Sequence, residues 1–218
     1  TVGIGKSALT ALTTGAGNTA IGYTAMNDVV EGSNNTAIGY NAFGGALDTA
    51  ADASQDNIFV GKDAGSGDWV TAVSNYNVSV GSSSMAGVMN GAKFNTALGF
   101  TAMSSLTTGV GNVTLGSNAG ASMTTAYYNV AIGGYNNTGP VLAPLHTNTG
   151  GSFNIAIGTG ALSTANENDN DGTVAIGHLA CNVQAGTGGA QFATATTAVG
   201  YKALTALTTG AGNTCLLY

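Results

Sequence analysis

The 218-residue sequence has no arginine, two prolines, two cysteines and four lysines, and only 6% of its residues are charged, against about a quarter in an ordinary globular chain. Each shortage excludes something. Without arginine, and with a net charge of −6, the chain cannot neutralise a phosphate backbone, so nucleic acid is not an expected partner. Cys181 and Cys215 have no spacing that reads as a metal site or a disulfide framework. No apolar run reaches eighteen residues, so no direct membrane insertion is expected in this segment. No n-region or h-region opens the chain at Thr1.

What the chain has is glycine, 35 residues of it, and a recurring pentapeptide. The copies are TVGIG, NTAIG, NTAIG, NIFVG, NVSVG, NTALG, NVTLG, NVAIG, NIAIG, TVAIG and TTAVG. They end at Gly5, Gly22, Gly39, Gly61, Gly81, Gly99, Gly116, Gly133, Gly158, Gly177 and Gly200; a twelfth copy, NTCLL, ends at Leu217 without the glycine. The intervals are 17, 17, 22, 20, 18, 17, 17, 25, 19, 23 and 17 residues. Seventeen is the basic coil and the longer intervals are insertions.

Each slot of the pentapeptide has a physical reading. Slot two is Thr, Val or Ile and slot four is Ile, Val or Leu in every copy, a strand pattern that puts both on one face. They are the expected core. Slot three is mostly alanine, expected to let another backbone or chain approach. The Asn of slot one tolerates turns and can stack in a ladder, and the glycine supplies a positive φ or room for a neighbour. A second half-coil follows, as in Lys6-Ser7-Ala8-Leu9 and Tyr23-Thr24-Ala25-Met26. This predicts two short strands and two turns per coil. The fold class is thus all-β, a repetitive parallel β-roll (a β-solenoid) of about twelve coils, with residues 1–218 one repetitive segment. At about 4.8 Å per coil the rod is about 55 Å long. With repeat units at both termini, the expectation is a fragment of a longer fibrous protein.

Asn-Thr-Ala-Ile-Gly-Tyr followed by x-Ala-Leu or x-Ala-Met, recurring from Gly5 to Leu217, resembles the head-domain repeats of trimeric autotransporter adhesins and related bacteriophage tail-fibre proteins. The adhesin heads repeat near fourteen residues, this chain at seventeen. The resemblance implies a left-handed roll, a homotrimer around a common axis, and attachment to a host surface glycan or protein. It implies an extracellular place, on a bacterial cell surface or a phage virion. The expected function is a non-catalytic adhesin-like head or fibre segment mediating surface attachment or host recognition. The alternatives are a tail-fibre shaft or receptor-binding segment and a monomeric ice-binding solenoid. A polysaccharide-cleaving tailspike would need paired carboxylates near a groove, and the acids here cluster in expected loops.

No cofactor, metal or catalytic residue is expected. Gly5-Lys6-Ser7 imitates the end of a phosphate loop but lacks the upstream glycine. Glu167, Asp169, Asp171 and Gly172 imitate half a calcium loop, with His178 where the closing Glu belongs. The acidic insertion 167–171 is read as solvated, with calcium as the other possibility. His146 and His178 accompany no nucleophile. Cys181 takes a slot held elsewhere by Leu9, Met26, Met103, Leu162 and Leu204, and reads as buried and apolar. The column after the glycine, with Tyr23, Tyr40, Phe100 and Tyr201, either contacts ligand or packs against neighbouring coils or chains. Insertions at 44–55, 139–151, 165–171 and 182–195 are the other candidate contact sites.

Overall fold

The computed structural model describes residues 1–45, 52–135, 142–164, 171–182, 194–207 and 210–217. Within them every regular element is a three-residue strand at slots two to four of one repeat. In order they are β1 (Val2–Ile4), β2 (Thr19–Ile21), β3 (Thr36–Ile38), β4 (Ile58–Val60), β5 (Val78–Val80) and β6 (Thr96–Leu98), then β7 (Val113–Leu115), β8 (Val130–Ile132), β9 (Ile155–Ile157), β10 (Val174–Ile176), β11 (Thr197–Val199) and β12 (Thr214–Leu216). Each pairs with the next in sequence, in parallel, forming one twelve-stranded sheet of a β-solenoid. Register never slips. β2 and β3, seventeen residues apart, pair Ala20 with Ala37, and β8 and β9, twenty-five apart, pair Ala131 with Ala156. Insertions are absorbed between strands.

An asparagine ladder holds that register. The Oδ1 of Asn35 accepts the backbone N–H of Asn57 at 3.0 Å and its Nδ2–H at 3.1 Å. The pattern passes from Asn57 to Asn77, Asn95, Asn112 and Asn129. The second Nδ2–H of each takes a carbonyl from the turn that closes its coil, such as Gly109 O for Asn95 at 2.8 Å and Ala126 O for Asn112 at 2.7 Å. These asparagines are fully buried, where an unpaired amide would be costly, so strand, neighbouring strand and turn are tied at one point.

Two expectations are corrected. First, the face is reversed: slot three points inward. Ala20, Ala37, Phe59, Ala97, Ala131, Ala156 and Ala175 are completely buried, while Ile4, Ile38, Ile58, Leu98 and Leu115 of slots two and four are among the exposed large hydrophobics. Slots one and three share the inward side with the ladder, and alternation then sends slots two and four outward. A coil of seventeen residues is too thin to hold two branched side chains per strand beside a buried amide.

Second, the other half-coil is not a strand. Leu9, Met26, Phe43, Met85, Met103 and Leu162 take φ between 46° and 54°, a left-handed conformation that costs an L residue about 1–2 kcal/mol. It aims each side chain into the core, and stacked backbone bonds compensate, such as Met26 N–H to Ala42 O and Phe43 N–H to Ala64 O. The core is a single file of slot-three residues facing these turn residues. Bulk is conserved across it. Where slot three enlarges to Phe59, the facing position shrinks to Gly65, whose added Cβ would stand 2.5 Å from the Phe59 ring.

Candidate functional site

With slots one and three turned inward, the sheet shows the solvent a face built from slots two and four. Slot four is Ile, Val or Leu in all twelve strands; slot two is Val or Ile in seven and Thr in five. No charge interrupts it. At roughly 4.8 Å per strand and 3.3 Å per residue, it covers about 55 Å by 13 Å, or about 700 Å².

Slot six (after the glycine) and the residue before slot one flank each three-residue strand, and from coil to coil they form two columns, one at each end of the strands. The post-glycine edge holds the predicted aromatics. Tyr23 and Tyr40 stack with centroids 5.2 Å apart and planes 8° apart, and Lys6 and Lys62 lie 5.9 and 6.0 Å from their ring centroids. Tyr201 stacks on His178 at 5.5 Å. Phe100 is 56% exposed, with Ser82 and Ser117 in the adjoining coils of its column. Each stacked ring turns one face to its partner, and Lys6, Lys62 and Lys202 lie over Tyr23, Tyr40 and Tyr201.

The opposite edge was missed by the sequence reading. Tyr76 and Phe94 stack at 5.0 Å with planes 5° apart, and Tyr128 and Phe153 at 5.6 Å. All four are exposed, by 45% to 59%. The gap between the pairs is Gly111, against which the Tyr128 ring lies: an added Cβ would meet it at 2.6 Å. The signal was present as an aromatic directly before the asparagine, hidden because that residue looks like loop.

Coil by coil, the two edges are unlike. β2, β3 and β11 carry Tyr23, Tyr40 and Tyr201 after the glycine, and Gly17, Asn34 and Ala195 before slot one. β5, β8 and β9 reverse this, with Ser82, Gly134 and Thr159 opposite Tyr76, Tyr128 and Phe153. Only β6 has aromatics on both edges, Phe94 and Phe100, and the next coil has Gly111 and Ser117. β4 is flanked by Asp56 and Lys62.

The other predicted residues fall as follows. All eleven repeat glycines have φ between 119° and 146°, a region open to glycine alone; they are structural. Cys181 is buried and Cys215, in slot three of the last strand, is half-buried; neither is in a disulfide. Lys6 and Ser7 lie on a turn between strands, with no helix to receive a phosphate. His146 is part-buried, a ring nitrogen 3.5 Å from Asn118 O. Glu167 and Asp169 lie outside the described residues, as do Pro140 and parts of all four insertions. Asp171 Oδ1 accepts the Ser152 backbone N–H at 2.6 Å. Among the described residues no group of three or more His, Cys, Asp or Glu is placed to hold a metal, and no helix is long and apolar enough to cross a membrane. No protein-family model, curated protein or solved structure matches this chain.

Proposed function

We propose that this chain is a non-catalytic, adhesin-like head or fibre segment that assembles with two copies of itself through the outward sheet face and serves surface attachment. The observation that carries this reading is the unbroken, uncharged face of slots two and four. Its roughly 700 Å², threonine positions included, is on the scale of the largest apolar patch on a typical monomer, about 300–600 Å², and approaches the ~800 Å² per partner of a standard interface. A single rod leaves that face in water. Three rods around one axis bury it and keep their turns outward. An ice-binding face would want regular threonine columns, whereas slot four has no threonine at all. Recognition of a host glycan or protein then falls to the insertions, which lie between the strand segments in the sequence. The same architecture serves a bacterial surface head or a phage tail fibre.

Light scattering on the purified chain tests the assembly. The parent is expected at three times the chain mass. The pair Leu98→Lys and Leu115→Lys, which puts two buried charges per chain at the axis, is expected at the monomer mass with an unchanged circular dichroism spectrum. A parent that stays monomeric across its soluble concentration range would overturn the reading. Host-cell and glycan-surface binding tests the attachment: removing 183–193 is expected to reduce binding without changing the mass, and a trimer that binds no surface would remove the adhesive role.

A further inference from the structure

The two edge columns point to a specific lateral contact, and we infer that the edge before slot one of each chain docks at the same level against the post-glycine edge of the next chain, with Asp56 facing Lys62 of the second copy. This rests on the side-by-side assembly proposed above and adds to it which edges meet and at what height.

Symmetry sets the level. Rotation about an axis parallel to the rod moves no atom along it, so β4 of one copy can only meet β4 of the next, and unlike edges face each other. The edges fit under that constraint. At β2, β3 and β11 an aromatic of one copy finds Gly17, Asn34 or Ala195 of the other. At β5, β8 and β9 the aromatic comes from the opposite side and finds serine, glycine or threonine. The doubled aromatics of β6 lie beside the doubled small residues of β7. Had the bulky residues stood on both edges of most coils, they would hold the sheet faces apart; had they stood on neither, the rim would stay open to water.

Charge marks the same alignment. Among these edge positions Asp56 is the one carboxylate, and the lysine on its own coil, Lys62, stands on the other edge. Within a chain the two cannot meet, because the extended strand Ile58–Val60 lies between them and holds them on the order of 15 Å apart. Lys62 touches Asp63 at 3.3 Å and is still 67% exposed, so its ammonium keeps donors for a second carboxylate. An exposed pair adds little binding energy; its effect is on alignment, since a shift of one or two coils leaves both charges facing uncharged or aromatic groups.

Paired cysteines test the contact. In a Cys215→Ser background, the double variant Asp56→Cys with Lys62→Cys is oxidised and run on a denaturing gel without reductant, and its native mass is measured separately under reduction. The disulfide needs Cα atoms within about 7 Å, out of reach inside one chain. The expected result is a covalent trimer from the double variant, and unlinked chains from each single variant. A native trimer that gives no covalent trimer would overturn the edge contact while leaving the threefold assembly standing. A native monomer would overturn the assembly and the contact with it. A covalent species stopping at the dimer would keep the edge pairing and replace the threefold axis by a twofold. Linkage in a single variant would mean that like edges meet, and the inference fails.

Discussion

The carboxamide oxygen of Asn57 accepts two hydrogen bonds from Asn77, from the backbone N–H at 3.0 Å and the side-chain Nδ2 at 3.1 Å. Asn77 in turn donates to Ala92 O at 2.9 Å and accepts from Asn95 at 3.1 and 3.0 Å. One side chain therefore serves three coils. Asn77→Ala leaves the Asn95 N–H and the Ala92 carbonyl short of partners in a buried site, and a loss of about 2–4 kcal/mol is expected in urea unfolding. A change below about 0.5 kcal/mol, the scale of ordinary surface substitutions, would show that the ladder is incidental.

Ala97 and Leu98 test which face is inside. Ala97 is completely buried and Leu98 is 44% exposed. Ala97→Leu is expected to lower the melting temperature, because overpacking a tight core costs about 1–3 kcal/mol. Leu98→Lys is expected to keep the circular dichroism spectrum and to weaken association instead. The opposite outcome would place slots two and four inside.

The repeat glycines are expected to be intolerant where a neighbouring coil crosses them. At Gly61, with φ of 138°, an added Cβ would stand 2.5 Å from Gly81 O, so Gly61→Ala should cost about 2–4 kcal/mol through strain and displacement of the stacked backbone. Gly134 is the control. The nearest atom to its Cβ is 3.4 Å away and its φ is not left-handed, so Gly134→Ala should fall within about 0.5 kcal/mol of the parent by thermal melting.

Phe59 and Gly65 should behave as one unit. Phe59→Ala leaves a cavity beside Phe43 and Trp69, whose rings lie 5.2 and 5.6 Å from it, with an expected cost of about 3–5 kcal/mol. Gly65→Met alone drives a side chain into the Phe59 ring. The double variant recreates the Ala20 and Met26 pairing of β2, and Gly65 already has the left-handed φ that Met26 adopts, 64° against 50°. It should be more stable than either single variant, followed by the fluorescence of buried Trp69. Additive losses would show that the two sites do not share space.

Much of this was legible because a repeat reports its own periodicity. The spacing of NTAIG-like copies located all twelve strands, each within one copy of the pentapeptide, since the short β-branched segment before the glycine has only one way to extend. The apolar slot for Cys181 was readable from its column alone. The aromatic edge of Tyr76, Phe94, Tyr128 and Phe153 was not, because its residues precede the motif and vary with the insertions. Their stacking appears only once coils of different length are laid in register.

The sequence by itself determined the coil, its stacking order and the parity that separates slots one and three from slots two and four. That parity follows from strand geometry alone. It could not say which set lies inside, because a branched apolar pair and an Asn–Ala pair are both plausible interiors when a strand is read singly. Only the tertiary structure decided it. A coil this thin has room for small side chains and for an amide that bonds to the coils on either side, and the turn residues Met26, Phe43, Met85 and Met103 fill the remaining volume from across. The larger, branched residues are left facing out, where a second chain can bury them.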